Sequence, residues 1–203
     1  MEDITQFGEG KIIRDFFLAH PPRYRNAVEV GSIGRDSSNV LVLAREGWEL
    51  LVIEPNPDVV GRIEADYAGT NFRLVRCGVG SVEGVMPFYV NSLEACCSFK
   101  KDWYPDTRTA LTYSVAVRPL ADVLEEHRIP FDFDFLSLDA EGMDMEVAGG
   151  LLAHSQYRPG LVVTESVSYG SLDVADALFK EAKYARVAQT GTFERGNLFY
   201  ARQ

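Results

Sequence analysis

Five carboxylates stand where apolar, strand-like segments of the sequence end, and they are the side chains best suited to do chemistry. In chain order they are Glu29, Glu54, Asp139, Glu141 and Glu165. The carboxyl ends of parallel strands meet at one edge of a sheet, and open α/β sheets bind ligands at that edge. A pyrophosphate cofactor needs backbone N–H groups there and is repelled by carboxylates. S-Adenosylmethionine carries a sulfonium and an ammonium group, so these acids favour it as the cofactor.

The turn after the first strand, "EVGSIG", supports the same choice. Its pattern is acid-x-Gly-x-x-Gly, with glycines at Gly31 and Gly34, and it lacks the third glycine of the dinucleotide fingerprint. Glu54 ends the second strand, where a carboxylate can accept both ribose hydroxyls of a nucleoside. Nicotinamide and adenosylmethionine proteins share that feature. The turn therefore favours adenosylmethionine, while an NAD-linked oxidoreductase and a non-catalytic adenosylmethionine-binding module stay open as alternatives.

Strand-like and helix-like segments alternate through most of the chain, which predicts an α/β fold with a doubly wound, mostly parallel sheet. The last two strand segments, "YARVAQTG" and "NLFYARQ", are expected to form an antiparallel pair. The 203 residues suit one domain, 1–203, with a short helical extension at 1–25. The aromatic-rich segment 91–112 breaks the alternation, and its length predicts a substrate lid or an ordinary surface excursion.

Composition narrows the partners. The net charge is −10 and the sequence pI about 4.8, which argues against nucleic acid as a partner because phosphate contacts need clustered Lys and Arg. The three cysteines, Cys77, Cys96 and Cys97, form neither a disulfide framework nor a zinc motif, so a reducing, cytoplasmic setting is expected. Neither a signal peptide nor a membrane span is evident from the sequence. The oligomeric state stays open.

Several motifs resemble those of the FkbM-like family of S-adenosylmethionine-dependent methyltransferases. They are "VEVGSIGRDSSNV", "VIEPNPD", "NSLEACCSF", "VRPLADVL", "DFLSLDAEGMDMEVAGGL", "LVVTES" and "NLFYAR", and they span residues 26 to 202 in the family's order. Glu29 stands where the family usually has Asp, which keeps the charge. The resemblance implies a Rossmann-like class I methyltransferase fold with a C-terminal antiparallel strand. It also implies O-methylation of a hydroxyl on a sugar, glycan or secondary metabolite.

Ten residues are candidates for binding the cofactor. They are Glu29, Gly31, Ser32, Gly34, Ser38, Glu54, Pro55, Cys77, Gly78 and Asp139. The two turn glycines let the backbone approach the methionine part of the cofactor, or else form a plain tight turn. Glu29 is expected to anchor the amino-acid end, because a buried acid needs a partner.

For other candidates the sequence supports a purely structural role about as well as contact with the cofactor. Ser37, Ser38 and Asn39 either cap the following helix or contact the cofactor. Cys77 and Gly78 leave the third strand, where they either touch the adenine or only pack.

The residue that removes a proton from the acceptor is harder to predict. The histidines, His20, His127 and His154, all fall at helix positions typical of structural residues. Asp139, Glu141 and Glu165 are better placed, as carboxylates at strand ends, and Asp139 and Glu141 are the candidate catalytic residues. A carboxylate that acts as a base should have a pKa raised by burial. The same pair suits Mg²⁺, but no third oxygen ligand is evident, so no metal is predicted.

Contacts to the acceptor are predicted from the acidic strand ends and from the aromatic lid. The candidate substrate-binding residues are Phe99, Trp103, Tyr104 and Glu165. The aromatic rings would stack on a sugar or another ring. The acceptor is expected to be a small molecule or a glycan.

Overall fold

The computed structural model describes residues 5–35, 38–104 and 108–203. The helices are α1 (Glu9–Ala19), α2 (Leu41–Ala44), α3 (Val60–Asp66), α4 (Leu120–Glu126), α5 (Asp144–His154) and α6 (Leu172–Glu181). The strands are β1 (Asn26–Val30), β2 (Glu49–Ile53), β3 (Asn71–Val75), β4 (Gly78–Gly80), β5 (Gly84–Asn91), β6 (Thr109–Pro119), β7 (Phe135–Leu138), β8 (Leu161–Glu165), β9 (Tyr184–Gln189) and β10 (Asn197–Arg202). No helix within these ranges is long and apolar enough to cross a membrane.

Seven strands form the central sheet, in the order β3-β2-β1-β7-β8-β10-β9. The pairs from β3 to β8 are parallel, and β10 runs antiparallel to both β8 and β9. The predicted mostly parallel sheet with a C-terminal antiparallel strand is confirmed. The strand order reverses direction at β1, since β2 and β3 lie on one side of it and β7 and β8 on the other. In such sheets a ligand crevice opens at this switch point.

Helices cover both faces of the sheet because alternate residues of each inner strand are apolar on both sides. Val28 and Val30 of β1 face a core built with α4, α5 and α6. Ala27 faces a second core built with α1, α2 and α3. All five residues of β1 are buried, and Glu29 is the single charged one. A charge kept in such a strand must have polar partners.

Two local predictions differ from the structure. The segment "SSNVLVLAREG" predicts a helix that ends near Gly47, but within the described residues the helix is the single turn α2, Leu41–Ala44. The segment "NFRLVRCGVG" predicts the third strand and its exit, but it contains β3 and the separate β4, and β4 joins a second sheet of order β4-β6-β5. Sequence periodicity shows strand character but not the sheet to which a strand belongs.

Candidate active site

A cavity of about 430 Å³ lies at the carboxyl ends of β1, β2, β7 and β8. Thirteen of the predicted site residues line it: Glu29, Gly31, Ser32, Ser38, Glu54, Pro55, Cys77, Gly78, Phe99, Tyr104, Asp139, Glu141 and Glu165. Gly34 and Trp103 do not. The predicted meeting of the strand ends in one cavity is thus found, with two of the fifteen residues outside it.

The two turn glycines are required for packing. Gly31 has a φ of +78°, and a Cβ there would lie 1.8 Å from the carbonyl oxygen of Asp139. Gly34 has a φ of +95°, and a Cβ there would lie 2.4 Å from a carboxylate oxygen of Asp66 in α3. Both positions favour glycine because φ is positive, and at Gly31 the backbone of Asp139 also leaves no space, whereas at Gly34 the nearest atom is the end of the Asp66 side chain. The exit of β1 passes directly against the exit of β7, while Gly34 packs against α3 away from the cavity.

Glu29 is buried but fully engaged. Its Oε1 accepts hydrogen bonds from the Ser38 hydroxyl at 2.9 Å and the Asn39 backbone N–H at 3.2 Å, and its Oε2 accepts one from the Tyr67 hydroxyl at 2.6 Å. Burial raises the pKa of Glu29, and the bonds from Tyr67 and Ser38 oppose that rise. The carboxylate therefore fixes the loop that borders the cavity. Its expected contact with the cofactor stays a prediction, and Ser37 lies outside the described residues.

The partners of Glu29 resolve part of the question about the serines. Ser38 Oγ also accepts from the backbone N–H groups of Val40 at 3.3 Å and Leu41 at 3.0 Å, so it holds the turn that leads into α2 as well as bonding Glu29. Tyr67 lies just after α3, and it is fully buried. Nothing in the sequence pattern distinguishes this tyrosine from a core aromatic residue, so its role could not be predicted.

Glu54 is held in one orientation by the backbone. The N–H of Ser32 donates to its Oε2 at 2.8 Å, and the N–H of Asn56 donates to its Oε1 at 2.7 Å. Burial raises the pKa of Glu54 to about 7, and these two N–H groups limit the rise. Each oxygen keeps further accepting capacity toward the cavity. Such a carboxylate is suited to receive two hydroxyls side by side.

Three carboxylates meet at the opposite end of the cavity. One oxygen each from Asp139, Glu141 and Glu165 lies within 4.8 Å of the other two. The sequence shows no third oxygen beside Asp139 and Glu141, and in the structure a carboxylate oxygen of Glu165, from the neighbouring strand β8, lies beside them. The Tyr104 hydroxyl donates to Glu165 Oε1 at 3.3 Å.

The pKa values of these acids are raised in the direction expected of catalytic carboxylates. Burial raises the pKa of Glu141 to about 11 and that of Glu165 to about 7, and the negative charges nearby add to both shifts. The pKa of Asp139 is raised well above its usual range, first by burial and then by Glu165. Each acid therefore strongly favours a neutralising partner, either a proton or a cation.

Asp144, at the start of α5, joins the segments that carry this acidic cluster through hydrogen bonds. Its Oδ2 accepts from the Ser168 hydroxyl at 2.8 Å and from the Ala140 backbone N–H at 3.3 Å, and its Oδ1 accepts from the Thr164 hydroxyl at 3.2 Å. These bonds link the exit of β7 to β8 and to the turn after it. The sequence does not distinguish Asp144 from the acids that are common in the first turn of a helix.

Two hydrogen bonds join the predicted lid, residues 91–112, to the turn that follows β7. The Ser98 hydroxyl donates to the Glu141 carbonyl at 2.7 Å, and Lys100 Nζ donates to the Gly142 carbonyl. Trp103 packs flat against Gly142, where a Cβ would lie 2.7 Å from the ring, so its ring is used for packing outside the cavity. Asn91 ends β5 and residues 109–112 belong to β6, while residues 105–107 of the predicted lid lie outside the described residues.

Phe99 and Gly78 fit together. The Phe99 ring packs on Phe88 with ring centroids 4.9 Å apart, and a Cβ on Gly78 would lie 2.3 Å from the Phe99 ring. Both residues and Cys77 line the cavity at the side of β4. Contact of Cys77 and Gly78 with an adenine stays a prediction. The packing of Gly78 against Phe99 exists whether or not an adenine binds there.

The chemistry of the lining fits a cationic cofactor. Seven acids line the cavity, namely Glu29, Glu54, Glu94, Asp139, Glu141, Glu165 and Glu194. Arg195 is the one basic residue among the described residues that line the cavity. An excess of carboxylates is suited to a sulfonium and an ammonium group and disfavours a pyrophosphate. The fold and this lining together define a Rossmann-like domain with an acidic cavity suited to a cationic ligand.

Comparison with known families makes the assignment specific. Residues 24–184 match the model of the FkbM methyltransferase domain, and the chain belongs to that family. It is an S-adenosylmethionine-dependent methyltransferase, which decides against both the NAD-linked and the non-catalytic alternatives. A search of curated proteins found no significant match.

Solved structures share the fold at low sequence identity. The O-methyltransferase TomG from Streptomyces achromogenes, solved in complex with S-adenosylmethionine, is 16% identical with a TM-score of 0.52, over 100% of this chain and 84% of TomG. A methyltransferase from Podospora anserina bound to S-adenosylhomocysteine is 10% identical with a TM-score of 0.54, over 97% and 78%. A precorrin-6y methyltransferase from Geobacter metallireducens is 12% identical with a TM-score of 0.52, over 100% and 92%. These matches establish a shared fold.

Proposed function

We propose that this methyltransferase methylates a hydroxyl group of a small molecule, such as a sugar, a glycan unit or a secondary metabolite. The observation that carries the proposal is the cluster of Asp139, Glu141 and Glu165 at one end of the cavity. Oxygens of these acids can accept the hydrogen of an acceptor hydroxyl. A hydroxyl is a poor nucleophile until a base takes its proton, so it benefits most from such a site.

The position of the cluster relative to Glu54 supports a cofactor that binds with its ribose at Glu54 and its sulfur near the cluster. Glu54 follows β2 and Glu165 ends β8, and three strand spacings, roughly 14 Å, separate these strands across the sheet. With the ribose held at Glu54, the cofactor extends along the strand ends toward Asp139. When bound, S-adenosylmethionine supplies the methyl group from its sulfonium. The chain's own residues hold the ribose, orient the acceptor and accept its proton.

The raised pKa values refine the roles within the cluster. A general base works best when its pKa is near the working pH, and burial raises the pKa of Glu165 to about 7. Burial and the charge of Asp139 also raise the pKa of Glu141, so this acid too is poised to hold a proton or a cation beside the acceptor. We propose Glu165 as the base and Glu141 as a residue that positions the acceptor. Tyr104, which bonds Glu165, orients that carboxylate.

The size of the cavity supports a small acceptor. About 430 Å³ lies at the lower end of the usual range for small-molecule sites, and the cofactor takes part of it. A glycan would enter by one terminal sugar. TomG, which shares the fold, is an O-methyltransferase of tomaymycin synthesis. This agrees with a hydroxyl of a secondary metabolite as the target.

A transfer assay with cofactor labelled on its methyl group tests this proposal. The purified chain would be offered matched acceptors that present a hydroxyl, an amine or a thiol on the same scaffold. We expect product only from hydroxyl acceptors, with release of S-adenosylhomocysteine. Methylation of amines or thiols in preference to hydroxyls would contradict the proposal. Glu165→Gln should lower kcat strongly, and Glu181→Gln, an exposed acid of α6 outside the cavity, is the matched control.

A further inference from the structure

Two carboxylate oxygens of the acidic cluster indicate a second role for it, beyond binding the acceptor hydroxyl. Asp139 Oδ1 and Glu141 Oε2 are fully shielded from solvent and have no hydrogen-bond partner among the described residues. A buried carboxylate oxygen without a donor is destabilised, because nothing there replaces the water that it lost. Oxygens in that situation are suited to direct coordination of a cation.

The spacing of the cluster matches a coordination sphere. The three ligand oxygens lie within 4.8 Å of one another. Oxygens around a Mg²⁺ or Ca²⁺ ion at about 2.1–2.6 Å lie roughly 3–5 Å apart. Small side-chain rotations therefore bring the three oxygens onto one ion. They come from two neighbouring parallel strands, β7 and β8, whose pairing fixes the spacing of the ligands.

The cluster has no ion pair among the described residues. The ion pairs there join other residues, and none includes Asp139, Glu141 or Glu165. Lys100, which lies close by, donates to the Gly142 carbonyl and stands over the Trp103 ring at 5.2 Å. Three carboxylates and one divalent cation have a formal charge of −1 in total, which still favours a sulfonium beside them.

From these contacts we propose that Asp139, Glu141 and Glu165 form a binding site for one oxygen-preferring divalent cation, of the class of Mg²⁺, Mn²⁺ or Ca²⁺. The site rests on the proposed function, because the cation would hold the acceptor hydroxyl at the methyl end of the cofactor. Three protein oxygens leave part of a six-oxygen sphere for the acceptor and water. A hydroxyl bound to the cation loses its proton more readily, which helps the base that accepts it.

Titration of the metal-stripped full chain with Mn²⁺ alone tests the site. By calorimetry and by the electron paramagnetic resonance of free Mn²⁺, we expect one ion per chain. Glu165→Gln and Glu141→Gln should each weaken binding about tenfold or more, as loss of groups around a metal commonly does. Glu194→Gln should bind Mn²⁺ as the wild type does. Circular dichroism checks that each variant is folded.

The same samples separate the two proposals. S-Adenosylhomocysteine binding and methyl transfer are measured with and without EDTA. Intact cofactor binding and transfer in EDTA, without stoichiometric Mn²⁺ binding, would overturn the cation site and leave the methyltransferase proposal standing. Mn²⁺ binding that is equal in all variants would also overturn the site. Stoichiometric Mn²⁺ binding that depends on Glu165 supports it, whichever acceptor is used.

Discussion

The carbonyl oxygen of Asp139 occupies the space into which any side chain at position 31 would project. A Cβ on Gly31 would stand 1.8 Å from that oxygen, and the Asp139 N–H donates to the carbonyl of Val30 at 2.9 Å. The exits of β1 and β7 are thus bonded and in contact at the base of the cavity. The glycine that looks like a nucleotide-loop feature is needed first to bring Asp139 into the site.

Substituting this glycine should damage the fold. Gly31→Ala combines a φ of +78° with a clash against backbone, so we expect a loss of about 3 kcal/mol or more in the free energy of unfolding. Gly47→Ala is the matched control, because Gly47 has a φ of +83° but nothing within 4 Å of its Cβ position. It should cost only about 1 kcal/mol. Equal losses in urea denaturation would mean that the Asp139 contact is unimportant.

Removing the carboxylate of Glu54 should weaken cofactor binding. Glu54→Gln loses a charged acceptor for the ribose hydroxyls, and each charged hydrogen bond contributes about 1.5–3 kcal/mol, so the Kd for S-adenosylhomocysteine should rise at least about tenfold. Glu64→Gln is the control, since Glu64 is an exposed acid that pairs with Arg76 and does not line the cavity. Calorimetry measures both. An unchanged Kd in Glu54→Gln would show that the ribose binds elsewhere.

Cofactor binding should depend on pH. Burial raises the pKa of Glu54 in the free protein to about 7, so this group is mainly protonated at pH 6 and ionised at pH 8. The ionised form accepts both ribose hydroxyls, so affinity for S-adenosylhomocysteine should fall by up to about tenfold from pH 8 to pH 6. Binding near pH 7 should release protons from this carboxyl. Affinity that does not change over this range in wild type, or that changes equally in Glu54→Gln, contradicts this.

The raised pKa of Glu54 also predicts how the unfolding free energy of the ligand-free protein changes with pH. The folded pKa of Glu54, about 7, is above the usual value of 4.5, so the folded state binds the proton more tightly than the unfolded state. Its contribution to stability is fully present below about pH 4.5 and is lost as pH rises to about 7. In Glu54→Gln the unfolding free energy should therefore fall less between pH 5 and pH 7.5 than in wild type. Urea denaturation at both pH values measures this, and parallel curves would rule it out.

The hydroxyl of Tyr67 should be worth more than an ordinary tyrosine hydroxyl. Tyr67→Phe leaves Glu29 Oε2 without its 2.6 Å donor in a buried site, which should cost roughly 1–3 kcal/mol of unfolding free energy. Tyr113→Phe removes an exposed bond to Asp58 and should cost under about 0.5 kcal/mol. A loss no greater in Tyr67→Phe than in Tyr113→Phe would mean that Glu29 is stabilised in another way.

The sequence predicted those parts of the site that follow from strand order. Glu54, Asp139 and Glu165 follow or end parallel strands, and the geometry of a parallel sheet brings such positions to one edge. The fold followed for the same reason, because the alternation of apolar segments and amphipathic helices is visible locally. The family motifs then distinguished one cofactor class from another.

What the sequence could not show depends on contacts between distant residues. Trp103 was expected to face the substrate, but the space above Gly142 accommodates its ring. Glu165 was expected to bind substrate but not to complete a trio with Asp139 and Glu141, because oxygen-to-oxygen distances depend on side-chain orientations that no spacing rule gives. Tyr67 and Asp144 orient the acids from other elements, and no local pattern marks them.

The central claim is that the cofactor lies with its ribose on Glu54 and its sulfur toward the cluster of Asp139, Glu141 and Glu165. A crystal structure of the chain with S-adenosylhomocysteine measures this directly. We predict both ribose hydroxyls within hydrogen-bond distance of the Glu54 carboxylate, and the sulfur facing the acidic cluster. A ribose that does not touch Glu54, or a sulfur directed away from those three carboxylates, would contradict the account.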